Sequence, residues 1–239
     1  MASAPEEMTV QIALVTDAAG SGVVLLVPTW CGAESDGASR LAPFLRIGTV
    51  LSNSIDDVSY GTSLRVFDPF IAMGQRTLME TCWIGAFDDR CIETFIGIIE
   101  SAPPGCAIFT HEFKGAASRV APQATAFGFR RDHILVELMA SFADESAFSE
   151  QKYQRWLHAS HRAFDAIAFP GGYPNLLPKG ATDRASASFH GNAERLIQAK
   201  KIYDPDNIFN SAIPLPAVRD CDPPSELLTR WRTDGNLAI

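Results

Sequence analysis

Residues 133–142, HILVELMASF, constrain the fold more than any other stretch of the chain. Ile134, Val136, Leu138, Ala140 and Phe142 recur at every second position, and a period of two puts them on one face of a β-strand. The other face carries Leu135, Glu137, Met139 and Ser141. A carboxylate between Leu135 and Met139 marks a face that is neither pure core nor pure solvent. Residues 106–113, CAIFTHEF, alternate in the same way, with Ala107, Phe109, His111 and Phe113 opposite Ile108, Thr110 and Glu112. TVQIALVTD and GVVLLVPTW flank AAGSG, whose glycines suit a hairpin turn.

Helical signals fall between these strands. AESDGASRLAPFLRIG predicts a short helix ended by Gly48, and YGTSLRVFDPFIAMG is a mixed stretch broken by Pro69. A second helix over 88–101 has Asp88 as its cap and Pro103-Pro104-Gly105 as its stop. Tyr153, Trp156, Leu157, Phe164 and Ile167 have the spacing of a long amphipathic helix over 148–167. A last helix over 192–202 takes Asn192 as its cap, and residues 217–239 form a polar tail. Antiparallel-looking strand pairs with helices between them predict an α+β fold, an antiparallel sheet with helices on one face, and not a βαβ series.

Composition narrows the function classes. With 46% hydrophobic and 10% aromatic residues, 239 residues can bury a substantial core. A net charge of −8 opposes nucleic-acid binding, and the basic pairs Arg130-Arg131 and Lys200-Lys201 make no stripe. The longest apolar run, VVLLVP at 23–28, is strand-sized, so no membrane partner is expected. The N-terminus lacks the basic region of a signal peptide. Five cysteines without a CxxC spacing favour reduced core thiols and a cytoplasmic setting over a disulfide frame or a zinc site. GxGxxG, GxSxG and the P-loop pattern are absent. His158 and His161 share a helix face but have no acidic or cysteine partner nearby in sequence, so they read as packing or surface residues. His111, His133 and His190 read as hydrogen-bonded structural groups.

Three stretches, in order, carry a resemblance. FKGAASRVAPQATAFGFRRDHILVELMASF at 113–142 resembles the GGAxSRVxxxATAFxxR segment of berberine-bridge-type FAD-linked oxidoreductases. GGYPNLL at 171–177 stands where that family has G-x-Y-x-N followed by Tyr or Phe, and GNAERLIQAKKIYDPDNIF at 191–209 is similar to its closing helix and turn. PTWCG and YGTSLRVFDP are also in register. The resemblance covers roughly 8–216 and implies the family's substrate-binding domain, with 171–216 as its berberine-bridge-like segment. It also implies that the family's N-terminal FAD-binding domain is absent here. The sequence departs from the family in four places: Leu176 replaces the usual Tyr, Pro174 stiffens the motif, Asn210 alone remains of the Asn-Gln after the final Phe, and Lys114 takes the place of one glycine.

The resemblance implies FAD as cofactor, a hydride passing to it from an alcohol- or amine-bearing small molecule, and a base that removes the proton. Without the Tyr, Glu137 is the candidate base; the alternative is that it pairs with Arg119 or Arg130. Arg119, the arginine of the SRV triplet, reads as structural. Tyr173, Asn175 and Asn210 match positions near the flavin. Leu135, Met139, Leu176 and Glu112 are the substrate-binding candidates, although Glu112 also reads as a solvent-side residue. A partner follows from the same reading, either a separate FAD-binding domain or further copies of the chain, since Leu135, Met139 and the 171–177 loop would otherwise be uncovered. A flavin-free small-molecule binding module is the alternative function.

Overall fold

A computed structural model describes residues 4–16, 21–65, 68, 74–143, 146–178 and 180–209. Its described strands are β1 (Met8–Thr16), β2 (Gly22–Trp30), β3 (Arg76–Ile84), β4 (Cys106–Phe113), β5 (His133–Phe142) and β6 (Ala168–Phe169). They form one six-stranded sheet in the order β2-β1-β4-β5-β3-β6, and every pairing is antiparallel. The helices are α1 (Glu34–Leu41), α2 (Tyr60–Ser63), α3 (Asp89–Glu100), α4 (Ala147–Ala163), α5 (Thr182–Ser188) and α6 (Ala193–Tyr203). The fold is the expected α+β one.

The alternation in β5 decides which way the sheet faces. Ile134, Val136, Leu138, Ala140 and Phe142 are buried, and the intervening Leu135, Glu137, Met139 and Ser141 are partly exposed. The register sets Ile108 of β4 opposite Leu138 and Cys82 of β3 opposite Val136, which extends one apolar layer across the central strands. Helix α3 presents Cys91, Phe95, Ile98 and Ile99 to this layer at helical spacing, and α4 adds Trp156 and Leu157. Phe164, just past α4, is fully buried and meets Phe95 edge-on at 5.2 Å between ring centres. Burying each such side chain stabilises the fold by about 1.5–3 kcal/mol. Asp88 caps α3 as expected, its carboxylate accepting from the Cys91 amide at 2.8 Å.

The last helix behaves differently. Helix α6 adds no residue to that core, and Asn192 does not cap it. The Asn192 amide is buried and donates to the carbonyls of Pro122 at 2.6 Å and Thr125 at 3.0 Å. It therefore holds the 122–126 loop, and three-dimensional packing outweighs its local preference as a cap. Asn192→Ala is expected to cost about 1–3 kcal/mol, because these carbonyls lose a buried donor. Chemical denaturation checks the loss, and faster amide exchange confined to 122–128 locates it. Asn210, the polar tail and the AAGSG turn after Asp17 lie outside the described residues, apart from Ser21 and Gly22.

Candidate active site

The sheet face turned away from α3 and α4 carries the site. A cavity of about 630 Å³ lies there, lined by Trp83, His111, Phe113, Phe127, His133, Leu135, Glu137, Tyr173, Asn175 and Phe189 among others. Glu137 projects from the centre of β5 with its side chain 16% exposed, and its Oε1 is 3.5 Å from His111 Nε2. The pair is diagonal: β4 and β5 set Phe109 opposite Glu137 and His111 opposite Leu135, and long side chains bridge that offset. Gln11 of β1 places its amide nitrogen 3.3 Å from His111 Nδ1. Donation from Gln11 to Nδ1 leaves the Nε2 proton facing the carboxylate.

Glu137 therefore pairs with a histidine and not with either arginine. Arg119 pairs with Glu6 on the surface and fixes no backbone carbonyl. Arg130 does fix carbonyls, donating to Phe127 and Ala117 at 3.1 Å each and to the Thr125 hydroxyl at 2.8 Å. Its guanidinium also lies over the rings of Phe113 and Phe127. This one side chain folds the 115–130 loop into the rim of the cavity. Gly128 is required beneath that loop, since a Cβ there would stand 2.7 Å from the Phe189 carbonyl oxygen.

The far wall is built of rings. Behind Trp83, outside the lining, Phe129 stacks on it at 4.7 Å and on His190 at 4.4 Å. His133 stacks on Phe113 at 4.6 Å, and its Nδ1 donates to the Arg131 carbonyl at 2.7 Å. Burial holds the His133 and His190 imidazoles below the ordinary histidine range, so both are neutral at pH 7. The 171–177 loop closes the other side. Gly172 crosses the edge of β3 so closely that a Cβ would lie 2.8 Å from Leu177 and 3.1 Å from the Thr81 hydroxyl. Beyond it the Tyr173 hydroxyl accepts from the Asn175 amide at 3.2 Å.

Among the expected site residues, Glu137, Leu135, Tyr173 and Asn175 converge on this cavity. Glu112 reaches its edge, but the Glu112 carboxylate points to the helix side. There it accepts from the Val10 amide at 3.0 Å and lies 3.4 Å from Lys114 Nζ, with 11% of the side chain exposed, so it is not a solvent-side residue. Met139 and Leu176 are partly buried and do not line the cavity. Trp83, His111, Phe127, His133 and Phe189 were not among the expected site residues. For His111 the signal was present, because the alternation of β4 already put it on the Phe109 face. No metal-binding group of His, Cys, Asp and Glu occurs among the described residues.

Residues 172–216 match the family described as berberine and berberine like. The chain is 24% identical over 194 residues to the uncharacterized FAD-linked oxidoreductase YgaK of Bacillus subtilis, covering 79% of this chain and 42% of that protein. The chain carries a berberine-and-berberine-like segment at 172–216 and is similar over most of its length to an FAD-linked oxidoreductase. Berberine bridge enzyme from Eschscholzia californica has the same fold, with a TM-score of 0.74 at 19% identity over 92% of this chain and 51% of that one. BBE-like 28 from Arabidopsis thaliana gives a TM-score of 0.75 at 16% identity over 91% of this chain and 51% of that one. The chain thus spans about half the length of the relatives it matches. Its family-matched segment contains Tyr173, Asn175 and Leu176 of the cavity loop, together with Asn210. No described helix is long and apolar enough to cross a membrane.

Proposed function

We propose that this chain is the substrate-binding half of an FAD-dependent oxidoreductase acting on a small molecule that bears an alcohol or an amine. The observation that carries the proposal is the Glu137–His111 pair on the floor of a cavity walled by aromatic rings. The residues present fit one part of FAD. Phe113, Phe127 and Tyr173 offer flat apolar surface to a ring system, whereas Arg130 is already committed to loop carbonyls and offers no cradle for a pyrophosphate. Asn210 belongs with Tyr173 and Asn175 in the proposed contacts to the ring by resemblance alone. When bound, FAD supplies the hydride acceptor.

The rest is the work of the chain itself. Glu137 accepts the proton of the substrate hydroxyl or amine, and His111 donates from Nε2 to keep its carboxylate turned toward the cavity. The aromatic wall and the Gly172–Leu177 loop exclude water, which strengthens each electrostatic contact inside. Leu135, with Met139 and Leu176 nearby, sets the apolar side of the substrate pocket.

A partner completes the proposal. Leu51, Leu64, Ile208 and Phe209 are each more than 60% exposed, an unusual load of bare apolar surface. A separate FAD-binding domain is the partner proposed, with self-association as the competing way to cover that surface. A reducing, cytoplasmic setting is part of the reading: Cys82, Cys91 and Cys106 are free and buried, and burial pushes the Cys82 thiol up to about 12. The test is a flavin titration. The chain alone is expected to stay colourless with added FAD. Mixed with the FAD-binding domain of a relative, it is expected to retain flavin through gel filtration and reduce it when substrate is added. Flavin retained by the chain alone, or no retention by the mixture, overturns the proposal and favours a flavin-free binding module.

A further inference from the structure

On the helix side of the sheet, away from the cavity, a buried cluster joins three elements that the oxidoreductase chemistry does not use. Arg184 of α5 donates through Nη2 to Glu80 of β3 at 2.5 Å. Through Nη1 it donates to the Thr81 carbonyl at 3.0 Å and meets His161 Nε2 of α4 at 2.7 Å. Glu80 is 7% exposed and the Arg184 side chain 21%, so the ion pair is largely shielded from water. The place matters. Strand β6 pairs with β3 only at Trp83 and Ile84, and Arg184 takes the next edge carbonyl, that of Thr81. Thr81 is the register partner of Glu137.

Helix α5 is also the strut between two parts of the cavity wall. On its N-terminal side is the loop bearing Tyr173 and Asn175, and its C-terminal cap, Phe189, lines the same cavity. Gly171 packs so tightly on α5 that a Cβ would lie 2.9 Å from the Ser188 amide. We propose that Arg184 is a positioning residue that locks this wall to the sheet, and that protonation of His161 releases the lock. Arginine has only donors, so His161 can take part only through an unprotonated Nε2. A proton on that nitrogen removes the acceptor and sets two cations side by side.

The groups facing His161 act in both directions. Burial and then Arg184 hold its pKa below the ordinary histidine value, while Glu80, Asp165 and the Thr81 carbonyl pull the other way; the neighbouring Cys82 thiol is neutral. The sign follows. His161 takes its proton more readily in the opened state than in the closed one, so the lock is fully present above about pH 6.5 and weakens as the pH falls below it. One proton changes the opening equilibrium by at most about tenfold per pH unit.

The test is hydrogen exchange of the whole chain between pH 7.5 and pH 5, corrected for intrinsic rates, read in peptides covering 171–178 and 184–189. The readout needs no flavin, so its outcome is separate from that of the oxidoreductase proposal. Opening of both segments is expected to rise several-fold to tenfold per pH unit below pH 6.5. His161→Gln, whose side-chain oxygen still accepts from Arg184 but takes no proton, is expected to keep protection at pH 7.5 and to cut that slope below threefold. Arg184→Lys is expected to open both segments about tenfold at pH 7.5 while β4 and β5 stay protected. An unchanged acid slope in His161→Gln overturns the switch, and unchanged protection of the two segments in Arg184→Lys overturns the lock. If Arg184→Lys loosens β4 and β5 equally, Arg184 is a general stabiliser and the positioning role is rejected.

Discussion

Glu137→Gln is expected to lower turnover of the flavin-reconstituted protein by about 10²-fold or more, with less than about threefold change in KM. The amide is nearly isosteric and still faces His111, so the cavity keeps its shape and substrate binding is spared. What is lost is the ability to accept a proton, and a positioned base contributes about 10²–10⁴-fold. Stopped-flow reduction of the flavin under anaerobic conditions isolates that step from product release. The Tyr173 phenol is another proton acceptor in the cavity, but it is occupied by the Asn175 amide and stands on a loop, whereas Glu137 stands on a central strand of the sheet. Leu176→Tyr, which restores the phenol usual in the family, is expected to recover part of the loss. An unaffected rate of flavin reduction in Glu137→Gln would remove Glu137 as the base and leave Tyr173 as the next candidate.

Phe164→Ala is expected to cost about 3–5 kcal/mol and to lower the midpoint of thermal unfolding by on the order of 10 °C. The Phe164 side chain has no exposed surface and wedges between Phe95 of α3 and the sheet at the end of α4. The transfer loss and the cavity left behind add. Ile92, on the outer side of α3, is 45% exposed, and Ile92→Ala is the control expected to stay within about 0.5 kcal/mol beyond its propensity gain. Equal losses in the two variants, measured by urea denaturation, would show that the α3–α4 layer does not carry the stability of the domain.

Much of this molecule was legible along the chain. The alternation over 133–142 set the span of β5, its buried side and the partly exposed side that holds Glu137, because a strand has only two faces and each residue must take one. The Asp88 cap and the Pro103-Pro104-Gly105 stop likewise bounded α3, since both are local signals within one or two turns. The family motifs in 113–142 and 171–209 pointed to the fold of the substrate domain and to Tyr173 and Asn175, which line the cavity.

Tertiary structure decided everything that depends on which strands are neighbours and how they slide past one another. His111 meets Glu137 only because β4 lies beside β5 in a register that makes the pair diagonal; a two-residue slip would part them without changing either face. Asn192 reads locally as a helix cap, yet the buried carbonyls of the 122–126 loop claim its amide, because leaving them unpaired costs more than an unmade cap. The Glu80–Arg184–His161 lock joins positions more than 100 residues apart, from Glu80 to Arg184, and has no signature along the chain at all. Period and propensity are local and are written residue by residue. Register, edge pairing and the meeting of charges across a sheet arise only when the burial of the apolar layer forces distant segments together.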